Sequence, residues 1–585
     1  MNGINVLAVI TARLNSSRLP KKHLLELNGQ PLISHVFKRL EKVEEIDTLV
    51  LATTNDDFNR PLVDWCHQNN KQVYAFDGDV NDVVGRVDAI VKKENPSHLL
   101  YVCGDCPLLE PTTIAGHLKI LIEQPDVDIV TTTAVKNGTP HIHCGFDVYA
   151  RRIWNQVIEK TNTAEFREHV GSSMRPYYQN LQWGWYEDDP VFTQRIHRIS
   201  VDTPSDYFFM QEVYRRWYEA NDESSIVDLK WLIEQLIKDE NLVAINSEVH
   251  QKTTSESSQP ILLVTQVNSE IGWGHIKRII TIARALQDIK SAAVKLIIQG
   301  TSVDIAELAL LPHVMVSDED SLSSAVEYQV KEKIPNVVVF DIYPKNQELA
   351  LEKCLQKLQF QQIATVSIDF CLPWVEQVDL NIVPSFFLSE KHPVNRSKKV
   401  VYGLDYLILP KVIPIHWNVG NKLLILTGSS DCFHLGTHLP ALINESLPSS
   451  IEIHWVKGMF SNHPDVPEKA VHQWVIHENI DQLQPLMLQS HYCLSVYGLS
   501  LFESLQCGVP TVAVAMNQKP SLAEIEAFSG VNIAVISQTA EEAVEQLNKM
   551  ILDSSVGQLY HDNSKKQIDG LGVNRMVDLM FDLVK

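Results

Sequence analysis

Residues 6–22 read Val6-Leu-Ala-Val-Ile-Thr-Ala-Arg13-Leu-Asn-Ser-Ser-Arg18-Leu-Pro-Lys-Lys22. A short apolar run ends in a turn carrying Arg13, Ser16, Arg18 and Lys22, and the next amphipathic stretch begins only near Pro31. Strand followed by polar turn is how an open α/β sheet presents residues to a ligand. The pattern continues outward. Strand-like runs at Thr48–Thr54, Gln72–Phe76, His98–Asp105 and Asp128–Thr133 alternate with amphipathic stretches near Pro31–Val43, Pro61–Asn69, Asn81–Lys93 and Thr112–Glu123, which predicts a parallel sheet covered by helices on both faces. Ile199–Thr203 reads as a further strand, with a helix to about Glu219 and a last amphipathic helix over Ser225–Asp239.

Composition then changes. Residues 246–260, NSEVHQKTTSESSQP, are polar and aperiodic and read as a solvated linker. The alternation restarts at Ile261–Gln266 and continues through Val337–Asp341 and Ala364–Ile368. A second series follows at Lys422–Leu426, Ile451–Val456, Tyr492–Val496 and Thr511–Ala515. The expected organisation is a first domain over 1–245, the linker over 246–260, and two Rossmann-like lobes over 261–415 and 416–585 with a ligand cleft between them. The length of 585 residues suits that count, at about 100–200 residues per domain.

Charge narrows the function. Lys and Arg number 50 against 72 Asp and Glu, a net −22, which argues against a general nucleic-acid or anionic-membrane binder, so a phosphate site must be local. The N-terminal stretch has no basic leader and no apolar run reaches about 18 residues, giving the expectation of an unanchored cytoplasmic protein. Nine scattered cysteines suit a reducing compartment.

On the residues alone, the Arg13–Lys22 turn is a triphosphate cradle, because guanidinium groups offer paired donors to phosphate oxygens and lysine offers a point charge. A solvated basic loop is the competing reading. Tyr101-Val-Cys-Gly-Asp105-Cys-Pro107 and Ile199-Ser-Val-Asp202-Thr-Pro204 each put a carboxylate at a strand end. Mg2+ prefers one or two such carboxylates with phosphates and water, although Asp close before Pro also marks an ordinary turn. Cys103-Gly-Asp-Cys106 matches C-x-x-C, yet no second Cys pair follows at zinc spacing. His141-Ile-His143-Cys144 reads as a substrate loop or as packing.

Taken as a set, R-x-x-S-x-R-L-P-x-K, the G-D-C-P turn, Gly145-Phe-Asp147, Arg167-Glu-His169 and V-D-T-P-x-D resemble, over about residues 4–220, the cytidylyltransferase family. That family includes enzymes making CMP-activated sialic-acid-like sugars and the spore coat polysaccharide proteins. The resemblance implies a doubly wound nucleotidyltransferase-like sheet with CTP bound at Arg13, Ser16, Arg18 and Lys22. It also implies Mg2+ at Asp105 and Asp202, and Asp147, Arg167, Glu168 and His169 towards the sugar.

In the second half, Ile271-Gly272-Trp-Gly274-His275-Ile-Lys-Arg278 follows a strand and opens a helix. The glycines allow close backbone approach, and a helix N-terminus disfavours imidazolium, leaving a neutral His275 to act as a base. A packed or capping His is the alternative. Ser495-Val-Tyr-Gly498-Leu-Ser500-Leu-Phe-Glu503 runs from strand into helix as a diphosphate site, or Ser500 and Glu503 form a capping box. Gly428-Ser429-Ser-Asp431 is a second phosphate-turn candidate. With Asp341-Ile-Tyr343, Gly403, Tyr406, Cys507-Gly-Val-Pro510 and Asn517-Gln518, these segments resemble the UDP-sugar hydrolase of pseudaminic acid biosynthesis over about 261–540. That enzyme is a relative of two-lobed glycosyltransferases of the B type.

By that resemblance His275 activates water, Tyr343 and Asn517 face the sugar, Gly272, Gly274, Gly428, Ser429, Gly498 and Ser500 approach the nucleotide, and Glu503 holds the ribose. Together the two resemblances imply a bifunctional enzyme of nonulosonic-acid biosynthesis acting on CTP, a nonulosonic acid and a UDP-diacetamido-trideoxy hexose, for surface polysaccharide or flagellin glycosylation. A glycosyltransferase or a non-catalytic nucleotide-sugar-binding module is the alternative for the second half. No motif decides the oligomeric state, and a homodimer is compatible with the sequence.

Overall fold

Three apolar runs, each ending in a Gly- or Arg-bearing turn, organise the chain because each becomes the central strand of its own sheet. The structure, a computed structural model, describes residues 5–160, 163–171, 179–251, 258–268, 273–301, 305–318, 320–343, 348–369, 377–384, 399–412, 414–431, 433–478, 480, 483–515 and 522–584. The chain divides into two compact units, Met1–Ser258 and Gln259–Lys585.

In the first unit β1 (Val6–Thr11), β2 (Thr48–Thr54), β3 (Gln72–Phe76), β4 (His98–Cys103), β5 (Ile129–Thr132), β6 (Phe146–Ala150) and β7 (Trp183–Tyr186) form one sheet in the order β3-β2-β1-β4-β6-β5-β7. β1 runs parallel to β2 and β4, with Leu7 opposite Thr48 and Leu99. Leu7, Val9, Val50 and Leu99 are buried against Val84, Val87 and Val91 of α2 (Val83–Glu94), and α1 (Leu32–Leu40) is likewise amphipathic, burying Leu32, Ile33, Val36 and Leu40.

Two expectations need correction. The sheet is mixed, because β6 lies antiparallel to both β4 and β5; β5 returns to β6 without a crossover helix across the sheet, which allows an antiparallel neighbour. Ile199–Thr203 is not a strand. Ile199 and Val201 are buried, which gives the alternation, but this segment meets the neighbouring chain through Val201 N–H donating to the Asp105 carbonyl at 2.9 Å. Thr203 then caps the helix Pro204–Tyr218 in a reciprocal box with Asp206. Asn246, at the head of the polar stretch, is buried and bonds Asp206 and His197, so that stretch begins packed on the first unit.

The second unit holds two sheets. β8 (Pro260–Val267), β9 (Ala293–Gly300), β10 (His313–Val316), β11 (Val337–Asp341), β12 (Ala364–Ile368), β13 (Leu380–Val383) and β14 (Lys399–Tyr402) are ordered β10-β9-β8-β11-β12-β13-β14. β15 (Lys422–Leu426), β16 (Glu452–Val456), β17 (Gln473–His477), β18 (Tyr492–Val496), β19 (Thr511–Val514) and β20 (Val535–Ser537) are ordered β17-β16-β15-β18-β19-β20. Every recorded strand pair of both sheets is parallel. The last helix, Gly572–Asp582, places Val573, Met576, Val577 and Met580 in the core of the first lobe, so 416–585 gives its final helix back to the lobe before it.

The three large sheets reverse strand order beside their first strand, between β1 and β4, β8 and β11, and β15 and β18. The crevice at such a reversal is where open α/β sheets take ligands. These three points position the candidate residues.

Candidate functional site

At the first reversal, the turn after β1 meets the end of β4. The turn is closed by its own backbone. Leu14 N–H donates to Asn59 Oδ1 at 2.7 Å, Lys21 N–H to the Leu14 carbonyl at 2.9 Å, and Leu19 N–H to Ser16 Oγ at 3.3 Å. Lys22 thereby points inward, and its ammonium lies 2.6 Å from Asp105 Oδ2 and 2.8 Å from Asp202 Oδ1. Arg18 adds a contact of 3.3 Å to the same Asp202 oxygen. Arg198 holds Asp202 Oδ2 at 2.5 Å and Asp206 at 2.9 Å.

The charges shape one another. Burial pushes the Lys22 ammonium down, but Asp105 and Asp202 outweigh it and hold its pKa above the ordinary range. Burial likewise pushes the Asp202 carboxyl up, and Lys22, Arg18 and Arg198 overcome it and hold the carboxyl well below the usual range. Next to them His23 is buried and pushed down to about 3, by burial first and the Lys22 charge second.

The fit to a divalent cation follows from Lys22 itself: two hard carboxylate oxygens already converge on one cationic centre. That is the donor set Mg2+ accepts when phosphates and water fill the remaining positions. Among the described residues no group of three or more His, Cys, Asp or Glu side chains is placed to hold a metal ion by itself.

Beyond this cluster lie Arg13, expected at CTP, and the residues expected near the sugar. Arg13 donates to Asn81 Oδ1 at 2.8 Å and meets Glu168 at 3.4 Å. Arg167 makes a bidentate pair with Asp82, 2.8 Å from Nε and 2.7 Å from the second nitrogen, while Asp82 also caps α2 through Gly85 N–H. The short helix α3 (Ala164–Glu168) is thus tied to the start of α2 at two points. His169 is exposed just beyond it. Asp147 stands on β6 opposite Tyr101, its carboxyl pushed up to about 6 by burial.

The His141–Cys144 segment is packed. His143 Nε2 lies 2.9 Å from Asp188 and its ring 4.5 Å from Phe192, and Cys144 Sγ is 3.7 Å from Cys106 Sγ. Sequence reasoning missed Arg198, Asn81 and Asp82. Only Arg198 left a signal, its i,i+4 spacing from Asp202.

In the second unit α4 (Gly274–Lys290) starts beside the end of β11. His275 Nδ1 lies 2.6 Å from Asp341 Oδ1, and Arg278 contacts both oxygens of Asp341, at 2.5 and 3.0 Å, and also Asp369. Asp341 is fully buried; burial pushes its carboxyl up, and Arg278 and His275 together bring it below the usual range. His275 Nδ1 therefore faces both the Asp341 carboxylate and, at 3.2 Å, a nitrogen of the Arg278 guanidinium, so Asp341 and Arg278 together fix the orientation of the ring. Tyr343 follows β11, its side chain exposed and its N–H donating to Gln266 Oε1 at 2.8 Å, and Gln266 is itself held by Gln299 at 2.9 Å. The roles of Asp341, Asp369, Gln266 and Gln299 were not read from sequence. Gly272 and Asn517 lie outside the described residues; Gly274 is the first residue of α4.

At the third reversal α5 (Leu499–Gln506) begins after Gly498, which is its N-cap, and no side chain caps it. The Ser500–Glu503 capping box is therefore not formed, because Ser500 already lies inside the first turn. Burial pushes the Glu503 carboxyl up, and Lys277 of α4 is the opposing charge that draws it down. Gly428 has φ +84, and a Cβ at Gly458 would come within 2.2 Å of its carbonyl oxygen. Ser429 accepts from Phe460 N–H at 2.8 Å. The helix after this turn is already capped, since the Asp431 carboxylate accepts from Leu435 and Gly436 N–H at 2.9 and 2.8 Å. Trp273 and Phe460 meet edge to face at 6.4 Å, so the two lobes touch beside the His275 turn.

The chain is similar to several known proteins. The Bacillus subtilis spore coat polysaccharide biosynthesis protein SpsF is 24% identical over 225 residues, 38% of this chain and 91% of that protein. The protein MJ1063 of Methanocaldococcus jannaschii is 28% identical over 257 residues, 43% of this chain and 99% of that one. MurG of Acinetobacter baumannii covers 55% of this chain and 99% of its own at 14% identity, with a TM-score of 0.41. Residues 7–217 match the cytidylyltransferase family profile, and that span holds the turn after β1, Asp105 and Asp202: the first unit of this chain belongs to the cytidylyltransferase family.

Proposed function

We propose that the first unit, a cytidylyltransferase, transfers CMP from CTP to the anomeric hydroxyl of a nonulosonic-type sugar acid and releases pyrophosphate, and that the second unit hydrolyses a UDP-diacetamido-trideoxy hexose to free sugar and UDP. The observation that carries the first activity is the convergence of Arg18, Lys22, Asp105 and Asp202 at the reversal of a sheet that matches this family. Arg13, Ser16, Arg18 and Lys22 would hold the triphosphate. Asp105 and Asp202 would hold Mg2+, which supplies neutralisation of the charge that builds on the transferring phosphate. Asp147, Glu168 and His169 would face the acceptor, with Arg167 setting their helix against α2. Arg18 and Lys22 would stabilise the departing pyrophosphate, since donors preorganised towards developing charge cost no reorganisation.

For the second activity, His275 with Asp341 supports general-base chemistry. Nε2 would take a proton from water as the oxygen attacks the anomeric carbon and UDP leaves. Gly498, Ser500 and the uncapped start of α5 would meet the diphosphate, Glu503 the ribose, and Tyr343 and Asn517 the hexose. Gly274, Gly428 and Ser429 would line the cleft. No described helix is long and apolar enough to cross a membrane, and a cytoplasmic site is part of this proposal.

The test uses the full chain twice. With CTP, Mg2+ and a panel of nonulosonic acids, pyrophosphate release should appear with one acceptor class; none with any acceptor would sink the first activity. With a UDP-diacetamido-trideoxy hexose and no acceptor, free sugar and UDP should form. Tight UDP binding without turnover would instead leave a binding module, and turnover only with an added acceptor a transferase.

A further inference from the structure

We infer that Lys22 is an internal counter-cation: it holds Asp105 and Asp202 until a nucleotide arrives, so that the divalent cation enters the first site with CTP and not ahead of it. This rests on the cytidylyltransferase reading. The Lys22 side chain is 9% exposed, and its ammonium bonds one oxygen of each carboxylate, Oδ2 of Asp105 at 2.6 Å and Oδ1 of Asp202 at 2.8 Å. Those are the hard oxygens a divalent cation would use.

The charges around them are already matched. Arg18 shares Oδ1 of Asp202, and Arg198 bridges Oδ2 of Asp202 to the buried Asp206. A divalent cation entering alone would have to break two partly buried ion pairs and then sit among the ammonium and two guanidinium groups, a cost that the low local dielectric enlarges. A triphosphate removes that cost. It offers Lys22 and Arg18 new anionic partners, so the carboxylate oxygens are freed as the compensating charge arrives.

The local architecture confines the exchange to side chains. The turn backbone is fixed by Leu14 on Asn59 and by Lys21 on Leu14. Arg198 remains with Asp206 and keeps Oδ2 of Asp202 engaged, leaving Oδ1 of Asp202 and Oδ2 of Asp105 as the exchangeable pair. Lysine suits the role because its flexible stem carries a compact charge with three rotatable donors, whereas a guanidinium is committed to a planar fork.

The experiment measures Mn2+ binding to the full chain by the electron spin resonance of free Mn2+, with and without CTP, each read against the same CTP without protein because the triphosphate itself takes up Mn2+, and with no sugar acceptor present, so that nothing turns over. Wild-type protein should bind Mn2+ weakly alone and at least about 30-fold more tightly with CTP. Lys22→Met, which removes the charge and keeps the bulk, should bind Mn2+ without nucleotide at least about 10-fold more tightly than wild type. It should also melt lower than wild type and recover on Mn2+ addition. Asp105→Asn supplies the baseline for any other Mn2+ site. Mn2+ binding that is equally tight with and without CTP in the wild type overturns the inference, and that measurement needs no variant to fold. Equal nucleotide-free Mn2+ affinity in wild type and a folded Lys22→Met protein does the same. Absence of CTP binding under every condition would instead remove the cytidylyltransferase reading beneath it.

Discussion

Asp105 and Asp341 stand at similar places, Asp105 two residues past the end of β4 and Asp341 the last residue of β11, each across the reversal from the first strand of its sheet, yet their surroundings differ. Asp105 retains 21% exposure and faces an ammonium on a flexible stem. Asp341 is fully buried and faces an imidazole and a guanidinium rooted one turn apart on a single helix. On the proposed reading the first carboxylate would exchange its cation and the second would orient its neighbours, the difference lying in the residue on the facing turn.

Removing each carboxylate's function should therefore break one activity and spare the other. Asp105→Asn should lower CTP-dependent pyrophosphate release about 1,000-fold or more, the several kcal/mol expected for loss of metal-borne charge stabilisation. UDP-sugar hydrolysis by the same protein should stay near wild type, because His275 and Asp341 lie in the other compact unit. Both activities falling together would show that the units are coupled, and an unchanged pyrophosphate rate would take Asp105 out of the site.

On the other side, His275→Asn should slow hydrolysis about 100-fold or more while UDP binding persists, the usual scale for a general base. Asp341→Asn should fall in the same direction, and the double variant should be little worse than the more damaged single one, since residues acting as a unit are strongly non-additive. Multiplying losses in the double variant would separate the two residues into independent roles.

How much of this was legible follows from what local sequence can encode. The strands β2, β11, β12, β15 and β18 stand at the expected residues because each is a mostly apolar run buried along nearly its whole length, and β3, at the sheet edge and only half-buried, because Val73, Tyr74 and Phe76 still read as strand formers. β9 was missed; it carries exposed Lys295 and buried Gln299 inside its run, and the second makes sense only beside Gln266 of β8. Ile199–Thr203 misled for the converse reason. Its alternating burial is genuine, but burial alone does not supply a ladder partner. In the sites, Asp105 and Asp202 were visible as strand-end aspartates before prolines. The bridge that joins them was not, since Lys22 is 83 and 180 residues away along the chain. Arg167 and Glu168 were likewise visible as charged residues, while their partners Asp82 and Arg13 depend on how α3 meets α2.

The units should also part in acid. In the first, His35 and His117 are buried, His35 Nε2 lying 2.9 Å from the Leu27 carbonyl and His117 Nδ1 2.6 Å from the Thr113 carbonyl. Burial pushes both down to about 4. An unfolded histidine titrates near 6.5, so between pH 6.5 and 4 the unfolded chain binds more protons than the folded one. Stability is thus fully present above about pH 6.5 and lost as the pH falls through 4, by up to about 3 kcal/mol for each histidine. Urea unfolding at pH 7, 5.5 and 4.5 should show this loss for the first unit, and His35→Gln should flatten it. A variant with the wild-type slope would mean that His35 is protonated in the fold.

The smallest expected effect bears on the sugar side of the first site. Arg167 has its guanidinium fork committed to Asp82, and the pair is 29% and 24% exposed. Pairs this open to solvent contribute about 0.2–1 kcal/mol, so Arg167→Ala should raise the apparent KM for the acceptor by about fivefold or less, through a looser α3 and a displaced Glu168. If the guanidinium acts only through Asp82, then Asp82→Ala should give the same change, and the double variant should add nothing to either single one. The apparent KM for CTP serves as the internal check, because Glu168 also meets Arg13 of the turn after β1; a loosened α3 should move both constants slightly and together. A direct contact with the acceptor carboxylate would look different: Arg167→Ala would exceed Asp82→Ala by tenfold or more in the acceptor KM alone and leave the CTP constant untouched. That result would place the guanidinium on the sugar and make the pair with Asp82 its resting position.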